Sequence, residues 1–264
     1  MSQVVGATKG SELLGLTQRL VVEGSNFSAP NSFEVRRLRA EIDKLNHANA
    51  AEASLCRAVL ATACGDWPDS QRWVLNARNL GMVWESASVG FVSASNLGYF
   101  GEAAAMYPSV VGVMSAPAAD HLAQGLICAS FRALIDAVAP LQRAKIEIGE
   151  LHTQAVEVAM KAHAVITRLG VTEADVQAVL NVAGEVLREH RLFWLDKEPR
   201  IDMIDDEDGA ALMYQFRIGV DAKRANNLTD EVLMIMIERD LDKPGLCFSF
   251  LSSPTLNENA DSAH

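Results

Sequence analysis

Side chains that commonly transfer protons or bind metal ions are scattered along this sequence. None of the histidines belongs to an HExxH motif or a Glu-x-x-His pair, and they lie far apart, at His47, His121, His152, His163 and His190. His152 and His163 fall on one face of a predicted helix, with Glu157 nearby. A di-metal bundle needs inward-pointing carboxylates from several such helices. The spacing therefore favours histidines at the surface or at the edge of the core, and it predicts neither a metal site nor a cofactor.

One run of carboxylates invites comparison with a calcium site. It precedes Gly209 and consists of Asp202, Asp205, Asp206, Glu207 and Asp208. Counting back from Gly209 places Ile204 where an EF-hand loop needs its first aspartate, so the ligand pattern fails. The run is better explained as an acidic turn that closes a β-hairpin.

Nucleophile and phosphate-binding motifs are missing as well. The sequence contains no G-x-S-x-G, GxGxxG or P-loop pattern. The four cysteines have apolar neighbours and lack paired spacing, which predicts buried, reduced thiols rather than zinc ligands or disulfides: Cys56, Cys64, Cys128 and Cys247. Reduced thiols favour a cytoplasmic setting. No catalytic residue is predicted, although an enzyme whose groups converge only in the fold stays open.

Charge and hydropathy exclude two further classes of partner. The formal net charge is −11, and an acidic surface repels phosphate backbones, so we expect no nucleic acid. The basic cluster Arg36-Arg37-Leu38-Arg39 is balanced by nearby carboxylates and reads as a solvated helix face. No apolar run approaches the roughly 20 residues that span a bilayer, and the N-terminal residues lack a signal peptide pattern. We therefore expect no membrane insertion.

The composition divides the chain into four predicted segments. Residues 1–32 are rich in Gly, Ser and Asn and are expected to be flexible, with one short helix at Ser11–Val21. Residues 33–196 form a helical domain, residues 197–253 a small α/β unit, and residues 254–264 a disordered tail. The fold class is thus mainly α, with antiparallel helical hairpins followed by the α/β unit.

Glycine, proline and capping residues mark the predicted helix boundaries. Helices end near Gly65, Gly81 and Gly98. Another runs from about Ala118 to Val138, and Pro140 ends or bends it before a long helix from about Leu141 to Leu169. Thr172-Glu-Ala-Asp175 resembles a capping box for the next helix.

The α/β unit has the predicted order β-β-α-β. Ile201–Ile204 and Leu212–Val220 flank the acidic turn, and a helix is expected from Thr229. The core of that helix, VLMIMI, is apolar on every side, so a buried strand stays an alternative. Leu246–Leu251 forms the last strand.

Two stretches of the helical region align at an offset of 33 residues. CGDWPDSQRWVLNARNL has its glycine at Gly65, and LGYFGEAAAMYPSVVGV has its glycine at Gly98. An Ala/Ser-rich helix precedes each glycine, aromatic residues follow it at the turn, and a second helix begins there. This layout resembles the tetratricopeptide repeat, a helix-turn-helix unit of about 34 residues. The resemblance covers roughly residues 50–115, and a weaker unit around Leu169-Gly170 is out of register.

The resemblance implies a concave groove lined by the first helix of each unit, where an extended or helical peptide binds. The implied groove residues are Glu52, Leu55, Val59, Thr62 and Ala63 in the first unit and Glu85, Ser88, Val92, Ser95 and Asn96 in the second. The first set lacks the Lys/Arg clamp with which some family members capture C-terminal carboxylates. Alternatively, Ser88 and Ser95 simply lie on a tightly packed helix face.

These features predict a protein-interaction adaptor or chaperone-like module whose partner is another protein or a peptide, with a homo-oligomer left open. Composition and compactness lead to the further hypothesis of a bacterial source. Two alternatives remain. One is an enzyme of unrecognised type, and the other is a structural subunit that pairs through the edge of the C-terminal sheet.

Overall fold

The structure is a computed structural model that describes residues 9–22, 24–112, 121–143, 145, 149–194, 199–207 and 209–253. The described residues form ten α-helices, a short 3-10 helix and a three-stranded sheet. The predicted fold class, mainly helical with a small α/β unit near the C-terminus, is confirmed. The chain divides into two compact units, an N-terminal unit that ends at Leu97 and a C-terminal unit that begins at Gly98. The domain boundaries predicted from composition stay a prediction.

Polar capping residues separate the helices of the N-terminal unit. Ser32, Asn49 and Asp66 each accept a hydrogen bond from a backbone N–H in the first turn of the helix that follows. Asn49 both ends one helix and starts the next, and Asp66 lies three residues after the end of the helix before it. The five helices are α1 (Lys9–Val22), α2 (Phe33–Ala48), α3 (Ala50–Ala63), α4 (Trp67–Asn79) and α5 (Val83–Asn96).

Helix α1 includes the short helix predicted at Ser11–Val21. Its buried residues Gly10, Leu13, Thr17 and Val21 recur at helical spacing and form one stripe. This helix packs against α2 and α3. The segment expected to be flexible therefore contains a docked helix.

The turn between α3 and α4 depends on Gly65. Its φ is +80°, a conformation that glycine adopts without steric cost. A Cβ at this position would lie 2.2 Å from the ring of Phe27, so the turn also needs the missing side chain. Next to it, the hydroxyl oxygens of Thr62 and Ser70 are 3.0 Å apart and join the two buried helix faces.

The C-terminal unit corrects three sequence predictions. Instead of a helix from about Ala118, the residues described there form a 3-10 helix and a separate α-helix. Pro140 lies inside that α-helix, and the long helix begins at Glu150 instead of Leu141. The last helix begins at Ala222 rather than Thr229, because Asp221 caps it. The helices of the C-terminal unit are α6 (Phe100–Val111), the 3-10 helix Leu122–Leu126, α7 (Phe131–Arg143), α8 (Glu150–Arg168), α9 (Glu173–Glu189) and α10 (Ala222–Glu238).

The sheet has the strand order β1 (Arg200–Asp205), β2 (Ala210–Ile218) and β3 (Leu246–Ser252). β1 and β2 are antiparallel, and the acidic turn that joins them is the predicted hairpin. β2 and β3 are parallel, so α10 is the crossover helix of a βαβ unit and VLMIMI is helical. The order β-β-α-β is confirmed.

Helix α10 also covers part of an exposed strand edge. The hydroxyl oxygen of Thr229 accepts a hydrogen bond from the backbone N–H of Phe250 at 2.9 Å. Unpaired N–H groups at a strand edge are what another chain would pair with. This contact therefore counts against sheet extension at Phe250 of β3, which is one of the two edge strands.

A close approach within the C-terminal unit joins the Gly98 turn to α9. A Cβ on Gly98 would lie 2.5 Å from the Cα of Gly184. Asn181 accepts a hydrogen bond from the N–H of Gly101 at 2.8 Å and so caps α6, whose own N-cap residue makes no side-chain cap bond. Arg188 donates to the carbonyl of Gly98 at 2.6 Å.

Gly184→Ala tests this close approach. Alanine is normally better than glycine inside a helix by up to about 1 kcal/mol. A Cβ at residue 184, however, would lie 1.8 Å from the carbonyl oxygen of Gly98. We expect the substitution to lower the free energy of unfolding by about 1–3 kcal/mol, the usual cost of overpacking. Urea denaturation followed by far-UV circular dichroism measures the change.

Gly15→Ala is the matched control. Gly15 lies inside α1, and among the described residues no side chain or neighbouring backbone approaches within 4 Å of a Cβ built there. We expect a gain in stability of up to about 1 kcal/mol. An equal gain from Gly184→Ala would contradict the close approach.

Candidate functional site

A cavity of about 260 Å³ lies between α1, α3 and α5 of the N-terminal unit. We call it the α1–α3–α5 cavity. Each of the three helices contributes residues about one turn apart, so one face of each helix points toward it. Its lining residues are Gly10, Ser11, Leu14, Gln18, Glu52, Leu55, Cys56, Met82, Trp84, Glu85, Ser88 and Val89.

The structure brings part of the predicted groove together here. Glu52, Leu55, Glu85 and Ser88, from the two helices that the resemblance assigned to the groove, line this one cavity. The other predicted positions do not line it. Val59, Thr62, Ala63 and Ser95 are buried, and Val92 and Asn96 are half-buried.

Thr62 shows why the predicted groove is not continuous along α3. Only 1% of the residue is exposed. Its hydroxyl bonds to the carbonyl of Ala58 and lies beside Ser70 of α4. Thr62 therefore packs where α3 and α4 cross. A small polar side chain suits this position as well as it suits a groove.

Two carboxylates flank the cavity, and they differ in their surroundings. Glu52 lies against the first turn of α1, since a Cβ on Gly10 would be 1.8 Å from its Oε2. The positive end of a helix stabilises a carboxylate in that place. Glu85, in the first turn of α5, is exposed. Glu85 is thus the more accessible charge for a ligand.

The deeper part of the cavity is apolar. Leu55 is buried, and the Sγ of Cys56 lies 3.7 Å from the carbonyl oxygen of Gly10. Burial raises the pKa of the Cys56 thiol to about 12, so the thiol stays neutral and packs as a small apolar group. Leu14, Trp84 and Val89, all half-buried, add further apolar side chains to the lining.

Sequence reasoning missed the α1 side of this cavity. Gly10, Ser11 and Gln18 carry no motif, and their position depends on a contact between helices that are distant in sequence. The short helix predicted at Ser11–Val21 was the available signal, because it places a helix in this segment without indicating what that helix packs against. Leu13 docks on the body and is 4% exposed. Leu14 lines the cavity.

Two of the scattered histidines lie beside carboxylates of other helices. His190 Nε2 lies 2.9 Å from Glu231, and His163 lies at the ion-pair distance of 3.5 Å from Glu173. Arg168 pairs with Asp205 of the acidic turn at 2.6 Å. Within the described ranges, no three His, Cys, Asp or Glu side chains are grouped closely enough to hold a metal ion.

A buried polar cluster in the C-terminal unit also has structural partners. Tyr107 and Tyr214 donate to the carbonyls of Leu122 and Leu126, at 2.5 and 2.9 Å, and so anchor the 3-10 helix. Burial raises the pKa of both tyrosines well above the usual range. It also raises the pKa of Cys128 to about 12, which removes this thiol as a nucleophile at neutral pH.

Comparisons with known proteins give no further information about the fold or the cavity. No protein-family model, no curated protein sequence and no solved structure matches this chain. Among the described residues, no helix is both long and apolar enough to cross a lipid bilayer. The tetratricopeptide resemblance therefore stays a prediction.

The cysteines differ in accessibility, which thiol labelling can measure. Cys56, Cys64 and Cys128 are buried as predicted, whereas Cys247 is exposed on β3, contrary to the prediction. At about pH 8 a thiol of pKa about 12 is ionised in roughly one molecule in ten thousand. We expect one fast-reacting thiol with DTNB in the native protein, and we expect Cys247→Ser to remove that fast phase.

Urea provides the control for this labelling experiment, because all four thiols should react once the chain unfolds. Fast modification of a thiol in native Cys247→Ser would contradict the burial of the other three.

Proposed function

We propose that this chain is a protein-interaction module, an adaptor or chaperone-like protein, that binds a peptide or helix at the α1–α3–α5 cavity. The proposal rests on one observation: a single cavity is lined by Glu52, Leu55, Glu85 and Ser88. These residues were assigned to a groove from sequence, without any knowledge of where the helices lie. The buried thiols support a reducing, cytoplasmic setting.

The chemistry of the cavity indicates what the peptide carries. The apolar inner surface, formed by Leu14, Leu55 and Val89, suits an aliphatic or aromatic side chain. Glu52 and Glu85 flank it, and they attract a neighbouring lysine or arginine. We infer a peptide in which an apolar anchor residue stands next to a basic residue.

The size of the cavity limits how much of a partner it accommodates. A volume of about 260 Å³ is slightly below the roughly 300–1,000 Å³ usual for small-molecule pockets. One large side chain fills such a space, with the rest of the peptide lying across the flanking helices. Helical surfaces recognise peptides through anchor side chains of this kind, which occupy apolar pockets or grooves.

Peptide selection tests the proposal. A random peptide library displayed on phage is selected on the full-length chain, and enriched peptides are measured by fluorescence polarisation. We expect enrichment of an apolar residue beside Lys or Arg. Ser88→Arg places a long cation in the cavity and should weaken binding at least tenfold, equivalent to about 1.4 kcal/mol. Asn79→Arg adds the same side chain at an exposed position of α4 outside the cavity, and it should leave binding unchanged.

Charge reversal separates a local effect from a general one. Glu85 and Glu12 both lie in the first turn of a helix, in α5 and α1 respectively, but only Glu85 lines the cavity. We expect Glu85→Lys to weaken binding of the selected basic peptides and Glu12→Lys to change it less than about twofold. The proposal fails if no peptide is enriched, or if enriched peptides bind Ser88→Arg as tightly as the unmodified chain.

A further inference from the structure

A second cavity in the N-terminal unit lies between α2, α3 and α4, and its chemistry is different. Its volume is about 390 Å³, within the usual range for small-molecule sites. Each of the three helices contributes one arginine to its lining: Arg39 from α2, Arg57 from α3 and Arg72 from α4. We call it the arginine cavity.

Trp73 fixes two of these guanidinium groups. The guanidinium carbon of Arg57 lies 4.4 Å from the centre of the indole ring, and that of Arg72 lies 5.0 Å from it. Both distances allow an attractive cation–π contact. Asp43 and Asn46 also accept hydrogen bonds from Arg57, whose side chain is only 19% exposed. The Arg57 guanidinium is therefore held in place before any ligand arrives, which reduces the entropy lost on binding, whereas the Arg72 side chain is exposed.

The carboxylates of the arginine cavity have partners of their own. Asp43 and Asp69 each pair with an arginine that lines the cavity. Asp66 accepts a hydrogen bond from the backbone N–H of Asp69 and caps α4. The side chain of Arg39 makes no ion pair or hydrogen bond with the part of the chain that the structure describes. A guanidinium offers five N–H donors, so the two paired arginines also retain donors.

We propose that the arginine cavity binds a small organic oxyanion, a molecule that carries a carboxylate or a phosphate group. The anion is held by Arg39 together with the remaining donors of Arg57 and Arg72. Guanidinium groups match the paired oxygens of carboxylate and phosphate. Leu60 and Ala61, both buried, supply apolar contact for the rest of the molecule. The three aspartates lower the local positive potential, which favours one anionic group over a polyanion.

Matched aromatic probes test the proposal on the full-length chain. Benzoate and phenyl phosphate carry the two anionic groups, and benzamide is the neutral counterpart of benzoate. The readout is the NMR signal of the Trp73 indole N–H, assigned with Trp73→Phe, at constant ionic strength. We expect a saturable shift with at least one anion and none with benzamide. The tighter of the two anions identifies the group as carboxylate or phosphate.

Arg39→Gln tests the role of the arginine without an ion pair. It should weaken binding of the anion about tenfold or more, because one charge-assisted contact is lost. Arg36→Gln is the matched control, since it removes the same charge from an exposed position of α2 that does not line the cavity. Three results would each overturn the proposal: no saturable shift with either anion, an equal shift with benzamide, or equal weakening by the two substitutions.

Discussion

Helix α3 lies against every other helix of the N-terminal unit, and its narrowness makes this arrangement possible. It contacts α1, α2, α4 and α5, and ten of its 14 residues are buried. Four of those ten are alanines, Ala53, Ala58, Ala61 and Ala63. Small side chains let helix axes approach toward the lower end of the usual 8–10 Å separation. Both candidate sites depend on this arrangement, because residues of α3 line each of them.

Neighbouring residues of α3 serve different sites because a helix turns by about 100° per residue. Cys56 lines the α1–α3–α5 cavity, whereas Arg57, the next residue, lines the arginine cavity. The two sites also differ in charge. Two carboxylates and no arginine or lysine line the first, whereas three arginines and three aspartates line the second. A formal charge of −11 describes the chain as a whole and gives no indication of this local separation.

Local signals made most of the fold predictable, and contacts between distant segments limited the rest. Both hydrogen bonds of the Thr172–Asp175 capping box are present, and the acidic turn joins two antiparallel strands. Such features depend on a few adjacent residues. The start of α10 was misplaced because two capping candidates, Asp221 and Thr229, lie within one helix length. Only part of the α1–α3–α5 cavity was predictable, because the position of α1 depends on packing between helices and not on the spacing of residues in the sequence. The arginine cavity was missed for the same reason, because its arginines come from three helices and only Arg39 belongs to the basic cluster seen in the sequence.

The glycines that define the 33-residue offset have the same backbone conformation but different surroundings. Gly65 and Gly98 have φ values of +80° and +71°. The ring of Phe27 occupies the space beside Gly65, whereas the backbone of Gly184 approaches Gly98. In a regular repeat array each unit presents the same surface to the next, so equivalent glycines have equivalent neighbours. The 33-residue offset therefore reflects a turn conformation that Gly65 and Gly98 share, whereas the groups that pack against the two turns differ. A groove register taken from the repeat therefore stays a prediction: Glu52, Leu55, Glu85 and Ser88 line one cavity, whereas Thr62 packs where α3 and α4 cross.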